Sequence, residues 1–203
     1  MRILTISGCL RSNSSNAAVL NALALIAPPD MTFVAYQGLS ALPHFNPDLE
    51  DHLPTPVQAL RSLVAASSGI VISTPEYAHG VPGALKNLLD WLVGGVELEG
   101  KAVALISTSP RPRHAQEQLQ EILRTMSAQL VVAASVEAPL LRRRLSPADI
   151  VADPELRAGL ERGLLGLRQA ALTSDAEAQC LASRIAAVVI EAPGPEGPFS
   201  PRP

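Results

Sequence analysis
The stretch "RILTISGCLRSNSSN" at residues 2–16 opens apolar and β-branched, turns small and polar from Gly8, and runs into "AAVLNALALIA", a helical pattern. An apolar run without apolar/polar alternation fits a strand covered on both faces, as in parallel sheets. The same kind of run recurs at 31–36, 69–74, 102–108 and 128–136. Helical faces separate the runs: Val57, Leu60 and Val64; then Leu85, Leu88, Leu89 and Leu92; then Leu119, Ile122, Leu123 and Met126. Strands alternating with helices imply right-handed crossovers. The predicted architecture is α/β, a doubly wound sheet of five parallel strands with helices on both faces.

Composition narrows the function. The chain has 203 residues, 47% of them hydrophobic and 17% charged, with room for one sizeable core and little more. A formal net charge of −3 argues against a general nucleic-acid binder, and 3% aromatics against a base-stacking surface. No apolar run approaches the roughly 18 residues of a membrane span, and the N-terminus reads as a strand, not a signal peptide. Cys9 and Cys180 stand far apart without CxxC spacing, and His44, His52, His79 and His114 lack ligand spacing, so a reducing cytoplasm and no metal are expected.

The C-terminal third is expected to be helical from about 153. Asp153-Pro154-Glu155 reads as an N-cap, an N1 proline and a first-turn acid before the stripe Leu156, Leu160, Leu164 and Leu167. Ser174-Asp175-Ala176-Glu177 has the form of a capping box opening a second helix with Leu181, Ile185 and Val188. The expected domain is residues 1–192, followed by a Pro/Gly-rich tail over 193–203, "PGPEGPFSPRP" from 193 on, expected to be flexible.

Ligands of an open α/β sheet bind beyond the carboxyl ends of its strands, where the loops 8–15, 74–81 and 107–114 emerge. The first loop meets a helix N-terminus and carries Arg11 and several serines. That suits either a phosphate cradle or a capped turn beside a solvated arginine. It is neither a Walker loop nor a dinucleotide fingerprint. The second loop, "STPEYAHGVPG", is irregular and places Tyr77 at its tip, where a ring can meet a planar ligand. In the third, Arg111, Arg113 and His114 either steer an anionic co-substrate such as a phosphate-bearing nicotinamide or form a basic helix approach without a ligand.

Gly8-x-x-Arg11-x-x-Ser14-x-Asn16, Pro75-Glu76-Tyr77, Pro82-Gly83-Ala84-Leu85-Lys86-Asn87 and Asp90-Trp91, in this order, resemble the NADPH-dependent FMN reductases over about residues 1–135. The resemblance implies the flavodoxin-like fold with strand order 2-1-3-4-5, bound FMN, NADPH or NADH as co-substrate, and a homodimer or homotetramer. It implies that Arg11, Ser14, Ser15 and Asn16 face the FMN phosphate. Pro75, Glu76, Tyr77, Ala78, His79 and Gly80 would lie beside the ring and ribityl chain, with Ser107 on the third loop. Gly83, Leu85, Asn87, Asp90 and Trp91 would be scaffold for the second loop. Cys9 replaces a frequent serine, Ala78 a frequent asparagine and Gly80 a frequent serine, and the third loop lacks the family's double glycine.

The implied reaction passes hydride from NAD(P)H to the flavin and then electrons to a quinone or similar small acceptor, with no catalytic side chain. Two other readings are an FMN-binding electron carrier that does not react with NAD(P)H, and an interaction protein with a degenerate site. The mild net charge and the single aromatic near the site favour the reductase.

Overall fold
The computed structural model describes residues 1–11, 13–109, 114–140 and 143–190, with backbone alone at 175 and from 177 onward. Strands β1 (Arg2–Ser7), β2 (Thr32–Ala35), β3 (Gly69–Ser73) and β4 (Ala102–Ser107) form a parallel sheet. With β5 (Gln129–Leu130) the order is 2-1-3-4-5, and β6 (Val136–Glu137) also pairs with β4. The helices are α1 (Ser15–Leu25), α2 (Thr55–Ala65), α3 (Gly83–Val93), α4 (His114–Thr125), α5 (Pro147–Ala152) and α6 (Pro154–Ile190). No helix among the described residues is long and apolar enough to cross a membrane.

Strand side chains alternate between two apolar layers, which is why the sequence shows no polar face. Ile3, Val71, Ala102, Ala104 and Ile106 meet α1, α5 and α6. Leu4, Ile6, Ile70, Ile72, Val103 and Leu105 meet α2, α3 and α4. The anticipated faces of α2 and α3 are buried, and on α4 Leu119 and Leu123 are buried while Ile122 and Met126 pack beside them. Burial of this kind is worth about 1.5–3 kcal/mol per large aliphatic side chain.

The family-like string on α3 also anchors a segment that sequence reading did not connect with it. Asn87 Oδ1 accepts from the Phe45 amide at 2.8 Å, while Asn87 Nδ2 and Trp91 Nε1 donate to the Pro43 carbonyl at 2.9 and 2.8 Å. Buried Trp91 takes the Phe45 ring edge-on, with centroids 5.1 Å apart. Asn87 and Trp91 thus dock the segment around Pro43–Phe45 before α2.

Two C-terminal expectations are corrected. The fifth strand is interrupted: a 3-10 turn, Val132–Ala134, separates β5 from β6. Where the strand leaves the ladder, the Ser135 hydroxyl accepts from the Leu105 amide at 3.3 Å. The cause lies in α6, where a methyl at Gly163 would sit 2.6 Å from Val136 Cγ2 and 3.0 Å from the Ala134 carbonyl, and one at Gly166 3.2 Å from the Ala133 backbone. Helix and turn approach this closely because these positions lack side chains.

The second correction concerns the C-terminal helices. Asp153 does cap α6, its Oδ1 accepting from Glu155 and Leu156 amides at 3.2 Å. However, α6 continues unbroken to Ile190. Ser174 does not cap a new helix; its hydroxyl donates to Gln129 Oε1 on β5 at 2.7 Å. No Gly or Pro interrupts 167–190, so nothing offsets the strong helix formers there. The helical faces of Leu181, Ile185 and Val188 and the expected tail over 193–203 lie outside the described side chains and residues.

Two glycines of α6 should respond oppositely to alanine. A methyl at Gly159 finds Val136 Cγ1 at 3.6 Å, an ordinary contact. Gly159→Ala should therefore gain up to about 1 kcal/mol of helix propensity. Gly163→Ala gains the same propensity but meets a stiff β-branched side chain and a carbonyl, an overpacking cost of roughly 1–3 kcal/mol. Urea unfolding should place the Gly159→Ala midpoint above that of the parent and the Gly163→Ala midpoint below it.

Candidate functional site
Three strand ends meet at one side chain. Asn16, in the first turn of α1 and 5% exposed, presents Oδ1 to the Ser73 hydroxyl at 2.8 Å and the Thr108 hydroxyl at 3.2 Å. Ser73 also lies 3.0 Å from the Ile106 carbonyl. One acceptor thus ties the loops leaving β1, β3 and β4. Beside it the Gly8 amide donates to the Ser73 carbonyl at 2.9 Å, and a methyl at Gly8 would fall 2.3 Å from Thr74 Oγ1 and 2.9 Å from Leu85. Glycine is the residue that lets the first two loops touch.

Above this junction lies an open cleft of about 1460 Å³. One wall is the first loop and α1, with Cys9, Arg11, Asn13, Ser14, Ser15 and Asn16. Ser14 caps the helix, its Oγ accepting from Ala17 N at 3.1 Å. The amides of Ser15 and Asn16 find no acceptor among the described residues, as expected for the first two helical positions. Those amides, the helix dipole and the Arg11 guanidinium, which has no ion-pair partner among the described residues, form a donor set for a phosphate monoester. The Asn16 side chain faces inward to the junction, so its amide is the group the helix end offers.

The second loop gives the opposite wall. Tyr77 and Gly80 exchange backbone hydrogen bonds of 3.1 and 3.0 Å around a two-residue turn in which Ala78 and His79 take φ of 49° and 60°. Turns with positive φ at both central positions normally call for Asn or Gly, and an alanine there costs about 1–2 kcal/mol. The turn holds Tyr77 54% exposed beside the cleft, with its hydroxyl 3.5 Å from Cys9 Sγ across the opening. The hydrogen bond to Cys9 and then partial burial raise the Tyr77 phenol above its usual pKa, while the nearby Arg11 charge opposes them.

The third loop is fastened to the second. Glu76 Oε2 accepts from the Ala115 amide in the first turn of α4 at 3.0 Å, a carboxylate on a helix N-terminus. Gln118 Oε1 accepts from the Val81 amide at 3.2 Å. The His79 and His114 rings stack with centroids 4.6 Å apart. Glu76 is therefore engaged in positioning α4.

Of the residues singled out in sequence, Arg11, Ser14, Ser15, Asn16, Pro75, Glu76, Tyr77, His79 and Ser107 line this cleft. Ala78 and Gly80 build the turn without lining it, and Arg111 and Arg113 lie outside the described residues. Thr108, within the anticipated third loop, also lines it, and sequence reading missed Gln116 and a further wall, Arg144 to Pro147. The spacing Ser146-Pro147-x-Asp149 was the available signal for that wall: it is a capping box, with Ser146 Oγ accepting from Asp149 N at 3.2 Å and Asp149 Oδ2 from Ser146 N at 2.9 Å.

Two measurements check this geometry without any ligand. Asn16→Ala leaves buried hydroxyls at Ser73 and Thr108 without their common acceptor, so it should lower the unfolding free energy by about 1–3 kcal/mol. In a Tyr36→Phe background, alkaline titration of the phenolate absorbance should place Tyr77 above 10.0, and Cys9→Ala should move it back toward that value. An unmoved midpoint would show that the thiol is not the cause.

The chain matches the NADPH-dependent FMN reductase family over residues 1–139. It is 32% identical over 155 residues to a quinone reductase of Escherichia coli, covering 72% of this chain and 82% of that one. It is 36% identical over 112 residues to a 2-hydroxy-1,4-benzoquinone reductase of a Burkholderia species, covering 54% of this chain and 61% of that one. Among solved structures, the flavoenzyme NAD(P)H:(acceptor) oxidoreductase FerB of Paracoccus denitrificans superposes with a TM-score of 0.66 at 23% identity, covering 83% of this chain and 97% of that one. With its 2-1-3-4-5 sheet and its match over residues 1–139, the chain belongs to the NADPH-dependent FMN reductase family, a family of oxidoreductases that take FMN as cofactor and NAD(P)H as co-substrate.

Proposed function
We propose that the cleft seats FMN and that the protein passes reducing equivalents from NAD(P)H to a quinone or similar small acceptor. The observation that carries this reading is the convergence on one opening at the strand ends of helix amides that find no acceptor among the described residues, Arg11 and the Tyr77 ring. Bound FMN supplies the chemistry, taking hydride from NAD(P)H and delivering electrons to the acceptor. The chain supplies placement and polarity.

In this reading the amides of Ser15 and Asn16, with Arg11 and the Ser15 hydroxyl, hold the phosphate, and Ser14 keeps the helix end in shape. Pro75 and Tyr77 flank the ring, with His79 beside them and Ser107 at the third loop. Glu76 and Gln118 act through α4, fixing the distance between the second and third loops. Ala78 and Gly80 act through the turn that aims Tyr77. An acceptor enters where the nicotinamide leaves, so the two share one place and the kinetics are ping-pong. A cytoplasmic setting and a homodimer or homotetramer accompany this reading.

The purified chain, incubated with FMN and desalted, should stay yellow and be bleached anaerobically by NADPH within turnover time. Addition of 1,4-benzoquinone should then restore the absorbance. Protein that stays yellow with both NADPH and NADH would be an electron carrier, and protein that retains no FMN would be a flavodoxin-like interaction module. Either result overturns the proposal.

A further inference from the structure
The wall that sequence reading missed carries a cation. Arg144 lines the cleft from the turn before α5, beyond the 1–139 segment that matches the family. Three devices hold this turn. The Arg143 amide donates to the Leu140 carbonyl at 3.0 Å, the Arg143 guanidinium pairs with Asp153 at 3.1 Å, and the Ser146–Asp149 capping box fixes the chain just beyond. Between them Arg144 takes φ of 46°, a left-handed backbone that a side-chain-bearing residue adopts at a cost. This twist gives adjacent arginines different destinations: Arg143 meets Asp153, and Arg144 opens onto the cleft.

Arg144 has no carboxylate partner among the described residues, and Glu76, already bonded to α4, is the one carboxylate among the described lining residues. Among the described residues, the cleft therefore carries two guanidinium groups without ion-pair partners, Arg11 and Arg144, brought by separate elements. A single phosphate at the head of α1 is met by Arg11 and two amides. The volume of about 1460 Å³ also exceeds the roughly 300–1,000 Å³ usual for a pocket holding one ligand. We infer that Arg144 receives the 2′-phosphate of NADPH and so sets preference for NADPH over NADH. A monoester presents three terminal oxygens to a guanidinium fork, a better match than the singly charged units of a pyrophosphate. The inference rests on the proposal that NAD(P)H enters this cleft.

The test uses the FMN-loaded full chain with Arg144→Gln and Arg144→Lys. Loss of one charge-assisted contact should raise the ratio of KM for NADPH to KM for NADH about tenfold in Arg144→Gln, with partial recovery in Arg144→Lys. Calorimetry supplies a readout independent of turnover: the parent should bind adenosine 2′,5′-bisphosphate about tenfold tighter than AMP, and Arg144→Gln should lose that difference. FMN affinity, from quenching of flavin fluorescence, should stay with the parent. If FMN affinity falls instead and both nucleotide ratios hold, Arg144 serves the flavin phosphate and the inference is wrong. If both nucleotides bleach the parent and no ratio moves in the variants, the inference fails while the reductase reading stands. If neither nucleotide bleaches the parent, that reading falls and takes the inference with it.

Discussion
The site depends on one amide oxygen. Asn16 Oδ1 is an acceptor with two lone pairs, and two hydroxyls from two other strand ends use it. A buried polar group costs free energy unless it is satisfied, and here three buried side chains from three strand ends satisfy one another. The loops leaving β1, β3 and β4 are therefore specified together, and the cleft above them inherits its shape from their common anchor.

The rest of the cleft extends the same economy of parts. Glycine at position 8 allows the first and second loops to meet. Glu76, Gln118 and the two histidines join the second loop to α4. Backbone amides and caps do most of this work, and Arg11, Tyr77 and Arg144 are among the described side chains that line the opening. The groups that position the walls are both buried, as Asn16 and Ser73 are, and exposed, as Gln118, His79 and His114 are.

Much of this was legible in the residues. The continuous apolar runs at β1, β3 and β4 fitted doubly covered strands, and the helical faces of α2, α3 and α4 followed from spacing. The interrupted fifth strand was not legible, because "QLVVAASV" reads as one strand and the glycines that admit its turn lie some thirty residues later on α6. Local spacing also misled at Ser174, where a capping-box pattern sits inside a helix that neither Gly nor Pro interrupts. At the site, residue type located Arg11 and Tyr77. The inward role of Asn16 and the different destinations of Arg143 and Arg144 depend on contacts that only the folded chain makes.

The turn at Ala78 and His79 carries one more consequence. A Cβ-bearing residue has only a narrow well on the left-handed side of backbone space, whereas glycine there wanders through a broad one. The aromatic ring beside the opening thus stands on a rigid bracket. Its freedom is surrendered when the protein folds, so the ring's placement beside the opening carries no further ordering cost.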